Sequence, residues 1–243
     1  MFRFFRQIRQ KLLTDSKFGR YLLYAIGEIL LVVIGILIAL QVDTWNEDRK
    51  VLQQEIALLE DMRSDLQETL RDLQFGKSLN ESTIDNYGML LKAIDRDEPY
   101  SPKIDSASVY INFFHVPRFR RTTYESLKSQ GEIISNDSLK REISNVYDRL
   151  FTYLTEDQLK IEWAIYQEQT LHFNSKYLRY KEGSSPEAYP VDFEKMKSDT
   201  EFINYLSSLI GFRKYGVGIY ESTIRGIEEV IALIDAELEH LRK

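Results

Sequence analysis

YAIGEILLVVIGILIALQV, residues 24–42, is apolar along its whole length except for Glu28 and Gln41. With Tyr21, Leu22 and Leu23 before it, the stretch runs from 21 to 42, about 33 Å of helix, against a hydrocarbon layer of roughly 30 Å. The spacing predicts one transmembrane helix over 21–42. Tyr21 and Tyr24 stand at one end and Trp45 at the other, where amphipathic rings prefer the headgroup level.

The flanking charge sets a direction. Residues 1–20 hold six Lys/Arg against one Asp, a net +5 that leaves −11 for the rest of a chain whose total is −6. A basic flank on the N-terminal side alone predicts a cytoplasmic N-terminus and an extracytoplasmic body after about residue 43. A cleaved signal peptide has the same basic-then-apolar order. The long basic region and the end IALQV, which lacks a small-x-small cleavage pattern, favour an uncleaved anchor. Before the span, MFRFFRQIRQKLL puts Met1, Phe4, Phe5, Ile8 and Leu12 on one helical face with Arg3, Arg6 and Gln10 opposite. That pattern predicts an amphipathic helix on anionic membrane lipid, followed by a break over Thr14–Gly19.

Glu28 is the anomaly. An ionisable group in hydrocarbon costs a few kcal/mol and ordinarily faces a partner helix, a cavity or a proton path. Glu28, Val32, Gly35 and Ala39 follow i, i+4, i+7, i+11 on one stripe, and Gly35-xxx-Ala39 is a small-xxx-small pair that lets helices approach. A homo-oligomeric interface through Glu28, Gly35 and Ala39 is one reading. Snorkelling of Glu28 toward Arg20 or the headgroups is the other, and both stay open.

FFRQIRQKLL followed by GRYLLYAIGEILLVVIGILIALQVDTWNEDRK resembles the N-terminal signature of an uncharacterised family of small single-span membrane proteins common in the Bacteroidota. TTYESLKSQGEIISNDSLKREISNVY, residues 122–147, resembles that family's second motif. The resemblance implies a bacterial inner-membrane location and brings no activity, cofactor or catalytic residue.

The body reads as all-α. A heptad rhythm from Leu52 through Ile94 predicts a long helix with polar entries at Arg63, Lys77 and Asn80, suited to irregular layers of an intramolecular bundle. Gly76 and Gly88 are its weak points. DRDEPYSP ends it. A segment over 105–114 is helix or strand by pattern. Next comes a short helix closing at Gly131, then a helix capped by Asn136 or Asp137 and unbroken to about Tyr180. YKEGSSPEAYPVDF is a surface loop. A last helix from about Ser198 to Arg242 turns Phe202, Leu206, Leu209, Tyr220, Ile227, Val230 and Ile234 inward, although four glycines fall inside it. The expected architecture is an N-terminal amphipathic segment (1–20), a transmembrane helix (21–42) and a periplasmic antiparallel helical bundle (43–243).

Catalytic patterns are missing from the sequence. There are no cysteines, and His115, His172 and His240 lack ligands at helical spacing. GVGIYESTIRG lacks the Lys-Ser/Thr of a phosphate loop. The acidic body argues against nucleic-acid binding. HVPRFRRTTY gathers Arg118, Arg120 and Arg121 around Phe119, a candidate contact for an anion or partner, or else a set of ion pairs with neighbouring helices. No cofactor or metal is expected. The expected function is a non-enzymatic, self-associating membrane scaffold or accessory subunit, with an envelope protein as a candidate partner. The alternatives are a subunit of an ion-driven complex that uses Glu28, and a periplasmic ligand sensor.

Overall fold

A computed structural model describes residues 18–131, 133–182 and 188–243. The expected amphipathic helix before the span lies outside them. Phe18 and Gly19, expected in a break, are already helical. Among the described residues the protein is all-α apart from one small hairpin. Helix α1 (Phe18–Asp95) contributes to two compact units, divided after Gln54.

In the first unit, the large apolar side chains from Leu22 to Val42 are exposed, as is Trp45. By length and composition this is the one helix among the described residues able to cross a membrane.

The second unit begins at Glu55. Here the buried residues of α1 repeat at helical spacing, with Leu59, Met62, Leu66 and Leu73 toward the Glu55 end and Tyr87, Leu90 and Ala93 toward the Asp95 end. The segment over 105–114 resolves into α2 (Pro102–Val109) and a 3-10 turn at Tyr110–Asn112. An extended strap then returns along α1. Asp65, Thr69 and Asp72 hold it and the first turn of the helix that follows, accepting from Thr123 Oγ1 at 2.6 Å, Arg120 N at 3.3 Å and Arg118 N at 2.9 Å respectively. These three positions share one helical face, so α1 itself guides the strap.

Helix α3 (Thr122–Gln130) ends at Gly131, whose φ of 84° is open to glycine and strained for other residues. Asn136, one of the two expected caps, accepts from the amides of Ser138 and Leu139 and starts a continuous helical run over 137–177, α4. Three π-helical stretches interrupt it, at Asn145–Leu150, Tyr153–Leu159 and Tyr166–Thr170. The expected loop is partly a hairpin of β1 (Leu178–Tyr180) and β2 (Ala188–Pro190), which pair antiparallel and bury Ala188. Helix α5 (Phe193–Lys197) leads into α6 (Thr200–Leu241). Asp199 caps α6, accepting from Glu201 N at 2.8 Å and Phe202 N at 3.1 Å.

All seven residues expected to face inward on α6 are buried. The start of α4 packs with the Glu55 end of α1 and its finish with the Asp95 end, while α6 runs the other way. Thus α6 is antiparallel to both neighbours, and α1 and α4 are parallel because the strap makes the return crossing between them. Two apolar cores result. One is largely aliphatic, around Leu59–Leu73, Leu139–Leu154 and Ile219–Leu238. The other is ring-rich, with Tyr87, Phe173, Tyr177, Phe193, Phe202 and Tyr205.

The glycines on α1 and α6 do not break the helices. A Cβ on Gly226 would lie 2.6 Å from Leu150 Cδ1, and one on Gly76 would lie 2.2 Å from His115 Nδ1. Both positions mark close helix packing.

Candidate functional site

Between the two cores lies a layer of buried polar side chains. Its centre is Arg213 on α6, which is 4% exposed and forms a 2.6 Å ion pair with Glu162 on α4, 6% exposed. The same guanidinium donates from Nη1 to Asn80 Oδ1 at 3.0 Å and from Nη2 to the Phe113 carbonyl at 3.2 Å. One arginine therefore ties α6 to α4, α1 and the strap. Asn80 is fixed in turn, because its Nδ2 donates to the Gly76 carbonyl at 2.9 Å.

Burial pushes the Glu162 carboxyl up to about 7, and the Arg213 charge offsets this only in part. The pair forms at the cost of desolvating both groups.

A second chain of contacts leads outward. His115 Nε2 lies 3.2 Å from Asp72 Oδ2, and His115 Nδ1 lies 3.0 Å from the Tyr220 hydroxyl. Burial, with the Arg118 charge adding to it, lowers the His115 pKa below the usual histidine value against the opposing pull of Asp72. The ring at neutral pH thus carries one proton. A carboxylate only accepts, which places that proton on Nε2 and leaves Nδ1 to accept from Tyr220. Gly76 makes room for this contact, since a side chain there would collide with both rings.

Tyr87 and Tyr205 border the layer on the ring-rich side. The Tyr87 hydroxyl donates to the Tyr110 carbonyl at 3.1 Å, and burial raises its pKa to about 12. Tyr205 shares a 2.7 Å hydrogen bond with Thr170 Oγ1. Both hydroxyls are partnered and neutral at physiological pH.

The polar heptad positions of α1 all find partners on α6. Arg63 meets Asp235 at 2.8 Å, Lys77 meets Glu221 at 3.0 Å, and Asn80 meets Arg213. The first two are half-exposed rim pairs of small energetic value; the third lies in the buried layer.

Glu28 is exposed on α1, and a Cβ added to Gly35 would meet no atom within 4 Å. The arginine triplet is spread out. Arg120 forms a 2.6 Å pair with Glu68. Phe119 turns inward and stacks on Phe151 at 4.2 Å. Arg118 is exposed, and Arg121 is half-buried, with its charge acting on Tyr147 and Glu156.

Glu162 and Arg213 escaped the sequence reading because each sits on an ordinary amphipathic helix. The available signal was Arg213 itself. It lies on the apolar stripe of α6, between the inward positions Leu209 and Tyr220, where a charge demands a partner. Among the described residues no three His, Asp or Glu side chains gather as a metal would require.

The fold and its polar layer define a helical-bundle protein bearing one helix of membrane-spanning length. Residues 28–181 match a family of unknown function, DUF6090. The match covers more than half of the chain, which belongs to that family. It includes Glu28 and Glu162 and stops before Arg213. No curated protein and no solved structure matches the chain.

Proposed function

We propose that this protein is a single-pass membrane scaffold or accessory subunit that self-associates through its span, with the bundle on the periplasmic side of a bacterial inner membrane. The observation that carries the reading is the exposed apolar surface from Leu22 to Val42, broken by Glu28 and Gln41. Water does not sustain a patch of that extent on a soluble protein, and lipid does. Residues 1–20 orient the span by their positive charge. Glu28, Val32, Gly35 and Ala39 share one stripe of that surface, and the open space around Gly35 lets a second backbone approach. An acid on the same stripe gains by leaving lipid for a helix interface. The bundle's role is to present a rigid, laterally braced surface to an envelope partner, with no catalytic step of its own.

The chain has no cysteine, so single cysteines report cleanly. In native membranes, Gly35→Cys and Ala39→Cys are expected to form disulfide-linked dimers on mild oxidation, while Leu30→Cys and Leu37→Cys on the opposite side do not. Equal crosslinking on all sides, or a monomer alone after gentle detergent extraction, rejects self-association. Labelling of Ser207→Cys by an impermeant maleimide in cells with a permeabilised outer membrane tests the topology; protection of that site reverses it.

A further inference from the structure

The polar layer holds two buried atoms whose hydrogen-bonding capacity no protein group meets: Arg213 Nε, a donor, and Gln158 Oε1, an acceptor. Both side chains are at least nine-tenths buried, at 4% and 5% exposure. Both line one small cavity together with Asn80, His115, Glu162 and Tyr220, and that cavity measures about 10 Å³. Roughly 10–15 Å³ on this measure admits one water molecule and nothing larger.

We propose that this cavity is a binding site for a single structural water, which accepts from Arg213 Nε–H and donates to Gln158 Oε1. Three features of the layer point to water over an ion. The Glu162 carboxyl already stands at 2.6 Å from the Arg213 guanidinium, so an ion of either sign would meet a group of like charge beside its counter-charge. The unmet groups are one donor and one acceptor, which a water serves at once and a monatomic ion cannot. The room is also built in, because Gly216 stands opposite the Gln158 amide. A Cβ there would come within 2.8 Å of Gln158 Nε2 and displace the amide from its present position on the cavity wall. The Tyr220 hydroxyl, bonded to His115, lies on the same cavity wall and offers a third partner. Buried waters usually make about three hydrogen bonds. Leaving both groups unmet would cost the layer more than immobilising one water.

The test is a crystal structure of the full chain at a resolution that orders solvent, beside that of Gln158→Leu. The expected result is one density peak within hydrogen-bonding distance of Arg213 Nε and Gln158 Oε1, lost in the variant. An empty cavity, a direct Gln158–Arg213 hydrogen bond, or an anomalous halide signal after bromide exchange would overturn the proposal. If Gln158→Leu does not fold, the wild-type density decides by the same criteria.

Discussion

Two glutamates stand in apolar surroundings in different regions of this molecule, and the protein treats them differently. Glu28 lies on an exposed helical surface whose neighbours are aliphatic. Glu162 lies inside the second unit and is met by a guanidinium that two other groups, Asn80 on α1 and the Phe113 carbonyl of the strap, hold in place. The first acid sits on an exposed face, and the second is enclosed by the fold. The contrast teaches that burial of a charge is tolerated where the fold fixes its partner in advance.

The sharpest way to break this contrast is Arg213→Met, which strands Glu162. We expect a loss of about 3–5 kcal/mol in denaturant unfolding of the full chain in detergent. Glu162→Leu combined with Arg213→Met should recover at least half of that loss, because paired charges exchanged for apolar groups remove the desolvation cost as well. A double variant no better than the single one would show that the layer is held by Asn80 and Phe113 more than by the ion pair.

Packing gives the next largest effect. Gly226→Ala must push Leu150 aside and should cost about 1–3 kcal/mol. Gly211→Ala on the same helix meets open space and should stabilise by up to about 1 kcal/mol. The same denaturation assay reads both, and equal effects would contradict the close approach of α4 and α6 at Gly226.

Asp199→Ala removes the α6 cap and should cost about 1 kcal/mol. This site also has a pH signature. The Lys176 ammonium at 2.5 Å, together with the Tyr177 hydroxyl and the capping amides, holds Asp199 well below the usual carboxylate range. A folded pKa below the unfolded one contributes stability that is complete above the ordinary Asp value, near 3.8. It is lost as pH falls below that value. Acid titration of thermal stability should therefore be shallower for Asp199→Asn than for the wild type, and an unchanged slope would exclude the linkage.

The smallest effect on folding is expected at Glu28. Glu28→Gln should leave bundle unfolding within about 0.5 kcal/mol of wild type, while it weakens crosslinking through Gly35→Cys. A variant that retains crosslinking but loses activity in cells would favour the ion-driven reading over packing. Destabilisation of the bundle itself would erase the distinction between the two glutamates.

Much of the fold was legible because helical periodicity and punctuation are local. The inward face of α6, the stop at Gly131 and the cap at Asn136 each depend on residues within a turn or two. The course of the strap was not legible. Its hydrogen bonds to Asp65, Thr69 and Asp72 join positions far apart in the chain, and extended backbone carries no periodic mark. The hairpin edges at Leu178 and Ala188 were masked by Gly, Ser and Pro, which read as a loop. The glycines of α6 looked like interruptions because propensity counts only the helix they occupy, whereas Gly216 and Gly226 are required by the helix alongside.

The sequence by itself determined an all-α chain with one span-length apolar helix and an amphipathic body, because continuous hydrophobicity and 3.6-residue spacing are properties of neighbouring residues. Only the tertiary structure decided that α1 and α4 run parallel, that the arginine triplet is spread out, and that Arg213 meets Glu162 between two apolar cores. Those outcomes depend on which distant side chains share a buried volume, and a buried charge settles only where the whole fold brings its counter-charge within hydrogen-bonding distance.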